Sequence, residues 1–420
     1  MVLTGLNLLG HRFVNQGITK VLNPVIEKQL TMDAPFAWVV WSKGRVSSRY
    51  GESDLVFFRE RLNGYLQCLD AVMQAHGSAS TLDYVVLDDW GGVFVNAYFS
   101  LHYRSPEHLL AVYQSLKKDA QFEELIDALA YRSEADLMWA IPHLRNVTGQ
   151  TNSEWIIASA LHRQRIRVDQ SYLSALLASD DKTLWVKALQ LIGDVKIPSP
   201  KPLLDYQQDE DESVRFYALR ADILLGNHAR ISQLSPYLDV KSPWLLEALP
   251  LALALQPVDQ ALRIVESINQ ADVSGRIKLW AIAYSGCVQT IPIIIEYAKD
   301  EKLSRIAGEA FACITGVDIE EDDLSPIDPD EDFSVLSNDS DPWQQDYEID
   351  LAKPGVTELK NWWAKHQSQF NPEQRYLMGL PITSESMDQV VAQGNQQQRN
   401  YAALIKALHY KHSPLERIDF

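Results

Sequence analysis

The stretch DESVRFYALRADILLG, residues 211 to 226, shows the structural unit that this chain repeats. It begins at an aspartate, which favours a helix N-terminus, and ends at Gly226, whose residue type readily adopts the left-handed conformation just beyond a helix. The apolar residues between them follow the spacing of one helix face, and they are Val214, Tyr217, Ala218, Ala221 and Leu225. The stretch therefore predicts an amphipathic α-helix that must bury one side against a neighbour.

Further segments along the chain share this design. The matching stretches are DKTLWVKALQLIG (181 to 193), SGRIKLWAIAYSG (274 to 286) and DEKLSRIAGEAFACITG (300 to 316). Their closing glycines lie about 30 residues apart, with one skipped interval that the helical pattern of residues 241 to 255 fills. Residues 151 to 163 look like an earlier member, and shorter apolar helices such as PKPLLDYQQ and TIPIIIEYA lie between the segments. Each period therefore predicts a pair of helices.

Helix pairs of this kind cannot bury their own apolar stripes, so neighbouring pairs must stack. The acidic helix start followed by Val214-Arg215, with alanines further along, is similar to the second helix of a HEAT repeat. We therefore expect an all-α fold, a HEAT-like α-solenoid over residues 146–316. An N-terminal helical region (1–145) precedes the solenoid, and a C-terminal helical region (351–420) caps it.

The N-terminal region is helical in a less regular way. One apolar stripe runs through residues 52 to 76 and predicts a single long helix. The stretch TLDYVVLDDWGGVFVNAYFSLHY, residues 81 to 103, predicts a buried helix that is broken or closely packed at Gly91-Gly92, with a buried strand pair as the alternative. The next helix is expected to start at Pro106. In the C-terminal region, helical patterning is expected around Trp362-Trp363, QRYLMGLP and NQQQRNYAALIKALHY.

Residues 317–350 differ from everything before them, because they hold fourteen Asp or Glu and no Lys or Arg. Such a run repels itself and buries little, so we expect an exposed loop or a mobile insertion. Its carboxylates are the candidate partner-binding residues, namely Glu320, Glu321, Asp322, Asp323, Asp328, Asp330, Glu331 and Asp332. We call residues 317–350 the acidic segment.

Composition and charge narrow the classes of partner. A formal net charge of −18 repels phosphate backbones and anionic lipid, so we expect neither nucleic acid nor a membrane surface, and a basic protein fits better. No run approaches the roughly 18 to 20 apolar residues that span a bilayer. The opening MVLTGLNLLGHRF lacks a basic n-region, so a cytoplasmic location is expected. The three cysteines are far apart and indicate neither a disulfide framework nor a metal site.

No cofactor or metal site is expected. The sequence lacks the nucleophile-elbow, zinc-protease, P-loop and dinucleotide-binding motifs. His409 and His412 are spaced to face one metal, but no further ligand is near in sequence. Asp328, Asp330 and Asp332 have the spacing of a calcium loop, yet the glycine and the distal glutamate of that loop are missing. A solvated acidic loop explains these aspartates more simply.

An enzymatic alternative rests on the paired acids Asp88-Asp89 beside Trp90-Gly91-Gly92. A glycosidase of the helical-toroid kind could place a general acid there, and the eleven tryptophans would suit sugar stacking. Most of those tryptophans, however, lie on helix stripes where core packing is the usual role. We therefore expect a non-catalytic protein and keep the glycosidase as the alternative.

Three segments carry a resemblance to a known family: GEAFACITGVDI (308 to 319), NWWAKHQSQFNPEQRYLMGLPIT (361 to 383) and QGNQQQRNYAALIKALH (393 to 409). With the N-terminal VIEKQLTMDAPFAWVVWSK, they resemble a HEAT-like family of bacterial proteins found near type VI secretion genes. The resemblance implies a bacterial cytoplasmic setting and supplies no catalytic residues. The expected partner is a type VI effector or its spike carrier, held by the solenoid surface and the acidic segment. The role would be that of an adaptor, a chaperone or an immunity protein.

Overall fold

The computed structural model of the protein describes residues 24–76, 85–146, 152–239, 241–326, 340–410 and 413–418. The described residues are mostly helical, which confirms the all-α fold. The first helices are α1 (Pro24–Gly44), α2 (Glu52–His76), α3 (Gly92–His102), α4 (Pro106–Ser115), α5 (Asp119–Tyr131), α6 (Glu134–Arg145), α7 (Ser153–Arg163), α8 (Gln170–Leu176), α9 (Lys182–Asp194) and α10 (Leu203–Tyr206). The later ones are α11 (Glu212–Leu224), α12 (Leu245–Leu253), α13 (Val258–Gln270), α14 (Gly275–Ser285), α15 (Ile291–Tyr297), α16 (Ser304–Thr315), α17 (Val356–His366), α18 (Ser384–Gln393) and α19 (Gln396–His409).

The N-terminal helices follow the sequence pattern. The long helix predicted over residues 52 to 76 is α2. Residues 92 to 102 form the helix α3, so the alternative of a buried strand pair is wrong for that half of the stretch, while residues 81 to 84 lie outside the described residues. Helix α4 begins at Pro106, and the hydroxyl of Ser105 accepts the amide of His108 as its N-cap. Local signals alone therefore locate these boundaries.

The repeated segments are the helices α9, α11, α14 and α16. The first three are capped as predicted, because the side chains of Asp181, Asp211 and Ser274 accept backbone amides of the first turn. The fourth begins later than expected, at Ser304. Asp300 instead accepts the amide of Lys302 and holds a turn ahead of the helix.

The closing glycines behave as predicted at three of four positions. Gly226, Gly286 and Gly316 have φ values of 106°, 63° and 79° and follow their helices in the left-handed region. Gly193 was predicted to end its helix, and this is wrong, because α9 continues through it to Asp194. A Cβ at Gly193 would lie 2.9 Å from Cα of Ala221, so this glycine lets α9 and α11 pack closely.

Alternate helices form a layer that stacks in chain order. Helix α3 packs on α5, α5 on α7, α7 on α9 and α9 on α11. The 3-10 helix His228–Leu238 then links α11 to α12, which packs on α14, and α14 packs on α16. We call these helices the stacked layer. Such sequential packing fits a helical-repeat protein, in which each unit contacts its neighbours.

Both ends of the described part of the chain pack against this stacked layer. From α1, Trp38 stacks on Phe94 and Trp41 meets Tyr131 edge to face at 5.2 Å. Helix α19 reaches α14 through Tyr401, whose hydroxyl donates to the carbonyl of Tyr284 at 2.8 Å. The two ends meet where the amide of residue 396 donates to the carbonyl of residue 50. The part of the layer that we expected to be open to a partner is thus covered in part by the chain itself.

The motif QRYLMGLP was expected to be helical and instead forms a two-stranded hairpin. Strands β1 (Tyr376–Leu377) and β2 (Leu380–Pro381) pair antiparallel. The hairpin lies across the carboxyl ends of two repeat helices, since the amides of Tyr376 and Met378 donate to the carbonyls of Gly286 and Cys313 at 2.8 and 2.7 Å. Carbonyl groups left free at helix ends are satisfied by this contact, which local sequence signals do not reveal.

Arg375, just before the hairpin, completes that cap. Its buried guanidinium donates to the carbonyls of Leu253, Ser285 and Gln256 at 2.5 to 2.9 Å and to the hydroxyl of Tyr401. These carbonyls lie at or just beyond the carboxyl ends of α12 and α14, where a positive charge is favoured by the helix dipole. One arginine therefore ties two neighbouring helices of the stacked layer to α19.

Candidate functional site

The first part of the acidic segment is a compact turn. Val317, Ile319 and Leu324 are buried, and the carboxylate of Asp318 accepts the amides of Glu320 and Glu321 at 2.8 and 2.9 Å. Composition alone predicts exposure throughout, but these alternating apolar side chains attach the turn to the body. The attachment leaves four of the predicted partner-binding carboxylates exposed together, namely Glu320, Glu321, Asp322 and Asp323.

The other predicted partner-binding residues lie outside the described residues. They are Asp328, Asp330, Glu331 and Asp332, so the suggested calcium spacing also falls there. The same holds for His412 of the histidine pair, whereas His409 ends α19. Within the described part of the chain, no group of three or more His, Cys, Asp or Glu side chains is arranged to hold a metal ion.

The last part of the acidic segment is fixed to α14 by a buried ion pair. Residues Asp346–Asp350 form a 3-10 helix from which Glu348 contacts Arg276 at 2.8 Å. Arg276 also contacts Asp341 at 2.9 Å, and both Arg276 and Glu348 are only 1% exposed. Burial raises the pKa of Glu348, while an amide and Arg276 oppose that shift. This end of the segment is therefore packed rather than an exposed loop.

A cleft of about 560 Å³ opens between the two described ends of the acidic segment. Its walls are the connection between α1 and α2 with the start of α2, one face of α16, the turn after α16, residues 350 to 352 and the residues around the start of α19. Among the described residues, six carboxylate side chains line it: Asp54, Glu309, Asp318, Glu320, Glu321 and Asp350. We call it the acidic cleft. Two of the predicted partner-binding residues, Glu320 and Glu321, thus line one cavity.

Glu309 is the unusual member of the acidic cleft. It is only 7% exposed, and among the described residues no donor meets either carboxylate oxygen in hydrogen-bond geometry. The buried hydroxyl of Ser48 lies close enough to this carboxyl group to affect its pKa. Burial raises the pKa of Glu309 to about 7, with Ser48 acting in the opposite direction and the Glu348 carboxylate adding to the shift. A buried carboxyl group without a partner is rare and requires an explanation.

The two arginines of the acidic cleft do not supply that partner. Arg49 donates to the backbone carbonyl of Asp350, and Arg305 donates to that of Leu351. Arg305 lies one turn before Glu309 on α16, yet its guanidinium points to the backbone of the acidic segment. Both cations therefore help to hold that segment in place.

Sequence reasoning did not single out Glu309. It lies inside GEAFACITG, where the apolar stripe of α16 drew attention to its neighbours. The available signal was a lone acidic residue in the middle of a helix of small and apolar side chains. The sequence around Glu309 does not show that the Arg305 guanidinium donates to the carbonyl of Leu351. That contact forms only because the chain after the acidic segment packs against α16.

The paired acids of the enzymatic alternative lie on an exposed turn. Asp88 and Asp89 are both exposed, and the side-chain amide of Gln121 donates to the Asp88 carboxylate at 3.4 Å. The adjoining glycines have a packing explanation, because a Cβ at Gly91 would collide with the backbone of Pro35 and one at Gly92 with the turn itself. The geometry thus gives these carboxylates no enclosed site.

Comparisons with known protein families, with characterised proteins and with solved structures found no match to this chain. Among the described residues, no helix combines the length and the apolar character needed to cross a membrane.

Proposed function

We propose that this protein is a non-catalytic protein-binding protein and that its acidic cleft receives a basic segment of the partner. The observation that carries the proposal is the gathering of six carboxylates around one cavity whose two arginines are directed to backbone carbonyls. Complementary charge steers association and selects partners more than it adds affinity. The net charge of −18 extends this attraction for basic proteins over the whole molecule.

We place the partner in a bacterial type VI secretion system, as a secreted effector or its spike carrier. The support for this setting is the resemblance of the GEAFACITG, QRYLMG and NQQQRNYAALIKALH segments. As an adaptor or chaperone, the protein would deliver the effector to the spike in the cytoplasm. As an immunity protein, it would block a toxin in the producing cell.

Site-specific crosslinking tests the contact. A photo-crosslinking amino acid at Glu321, in the acidic cleft, should attach a partner in cells, whereas the same probe at exposed Glu266 on α13 should not. Mass spectrometry then identifies the attached protein, and binding of the purified partner should weaken as salt rises. Equal crosslinking at both positions, or at neither, would overturn the proposal that the cleft is the contact.

Gene deletion separates the two roles. Loss of effector secretion from otherwise healthy cells indicates an adaptor or chaperone. Killing of the deletion strain by its siblings indicates an immunity protein. The glycosidase alternative makes a different prediction, namely that Asp88→Asn or Asp89→Asn abolishes the cellular phenotype while the protein stays folded. We expect both variants to behave as wild type in these assays.

A further inference from the structure

We infer that Glu309 is the acceptor for a single arginine side chain, which a partner segment inserts into the acidic cleft. The inference rests on the proposed function and adds to it the chemistry of the ligand group. Glu309 lines the cleft, is more than nine-tenths buried, and has two carboxylate oxygens that no donor of the described residues meets in hydrogen-bond geometry. A buried carboxylate of this kind is stabilised by a ligand that brings the missing positive charge and hydrogen-bond donors.

A guanidinium group fits the free groups of the cleft better than a metal ion does. The described residues hold no cluster of metal ligands, and Glu309 stands without a second carboxylate bonded to it. Its two free oxygens match the paired N–H groups of an arginine, which binds carboxylates in a two-pronged geometry. The buried hydroxyl of Ser48 lies close to Glu309 and can accept a further N–H.

The outer part of the acidic cleft can guide such a side chain inward. Asp318, Glu320 and Glu321 are exposed on the turn after α16 and line the same cavity as Glu309. Exposed carboxylates raise the local concentration of a cationic segment and speed its association. The volume of about 560 Å³ falls within the roughly 300 to 1,000 Å³ typical of ligand pockets. A single long side chain with its flanking backbone is therefore a suitable occupant.

Binding should release a proton, which gives the inference its own signature. Burial raises the pKa of Glu309 to about 7, and an adjacent guanidinium favours the ionised form. The groups that face Glu309 from other elements are Ser48, Tyr284, Tyr347 and Glu348, together with Cys313 of its own helix. Burial raises the pKa values of both tyrosines and of the cysteine, so these groups stay neutral near pH 7.

Two short peptides test the inference on the full chain. One is a glycine–serine peptide with a central arginine, and the other carries citrulline, which is uncharged, at the same position. Calorimetry should detect binding of the arginine peptide alone, with proton release and an affinity that rises about tenfold from pH 6 to pH 8. Glu309→Gln should weaken this binding at least tenfold at pH 8. The matched control Glu266→Gln, on exposed α13, should leave it unchanged.

The outcomes separate this inference from the proposed function. Failure of the arginine peptide to bind, equal binding of the citrulline peptide, or wild-type binding by a folded Glu309→Gln variant would each overturn the inference. In those cases, a partner that still crosslinks at Glu321 leaves the proposed function standing. Absence of crosslinking at Glu321 would overturn the proposed function whatever the peptides do. Thermal unfolding of each variant shows that a loss of binding is not a loss of fold.

Discussion

Two buried glutamates in the same part of the molecule, Glu348 and Glu309, differ in whether a cation is paired with them. Glu348 contacts Arg276 at 2.8 Å and is closed off, with both side chains 1% exposed. Glu309 is also buried, at 7% exposure, but no donor of the described residues meets its carboxylate in hydrogen-bond geometry. Burial raises the pKa of both. The two residues differ in whether a cation meets the carboxylate, and Glu309, the one that no cation meets among the described residues, is also the one that lines a cavity.

The difference also has an energetic meaning. A buried ion pair contributes little net stability, because desolvation offsets the attraction, yet removing one partner is strongly destabilising. The pair of Glu348 and Arg276 therefore fixes where the acidic segment attaches to α14. Glu309 is already a buried glutamate without a paired cation, which is what Glu348 would become if Arg276 were removed. Its folded state is less stable at neutral pH than a paired arrangement would be, and a cationic ligand would remove that deficit.

The largest loss of stability is expected when the buried ion pair of Arg276 and Glu348 is broken. Arg276→Met leaves Glu348 buried without a counter-charge and should lower the free energy of unfolding by about 3 to 5 kcal/mol, as measured by urea denaturation. The double variant Arg276→Met with Glu348→Leu should recover much of this loss, because no unpaired charge remains. A double variant as unstable as the single one would show that Arg276 acts mainly through its other contacts, with Asp341 and the carbonyl of Lys302.

Arg375 is a buried cation like Arg276, but its hydrogen bonds go to carbonyl groups rather than to a carboxylate. Arg375→Met should destabilise the chain by about 2 to 3 kcal/mol, since the carbonyls that end α12 and α14 lose their donors. Urea denaturation measures the loss, and amide hydrogen exchange should rise at the carboxyl ends of both helices. Arg263→Met on α13, whose side chain is 63% exposed, is the control and should be nearly neutral.

A substitution at Glu309, the glutamate without a paired cation, is expected to stabilise the chain by an amount that depends on pH. The pKa of Glu309 is about 7 in the folded chain and 4.5 as the ordinary value, so the folded state binds more protons between these pH values. Stability that is present below pH 4.5 is therefore lost as pH rises through 7. Glu309→Gln cannot ionise and should be more stable than wild type by on the order of 2 kcal/mol at pH 8, with little difference at pH 5.

Thermal unfolding across pH 5 to 8 measures that difference. Glu124 serves as an internal reference, because burial also raises its pKa to about 7. It is present in both the wild type and the Glu309→Gln variant. Subtracting the two pH profiles isolates the contribution of Glu309. Parallel profiles would show that Glu309 has a partner in solution.

Local chemistry was enough to predict most helices but not the site. Capping by Asp211 and the left-handed Gly316 are properties of a few consecutive residues, and sequence reasoning located them. Gly193 and the QRYLMGLP hairpin were misassigned, because each is determined by a distant backbone, that of Ala221 and that of the α14 and α16 ends. The isolation of Glu309 depends on the course of the acidic segment in the same way. Four of the eight predicted acidic residues are described on one exposed turn, and two line the cleft.

The smallest effect on stability is expected at the exposed rim of the acidic cleft. Changing Glu320, Glu321, Asp322 and Asp323 to their amides should alter the free energy of unfolding by no more than about 0.5 kcal/mol, because these side chains are solvent-exposed. The same change should slow association with the crosslinked partner and flatten its dependence on salt, since steering by exposed charge is screened by ions. Stopped-flow association at several salt concentrations measures both. An unchanged salt dependence would show that the turn is a spacer and that Glu309 recognises its ligand without help from the rim.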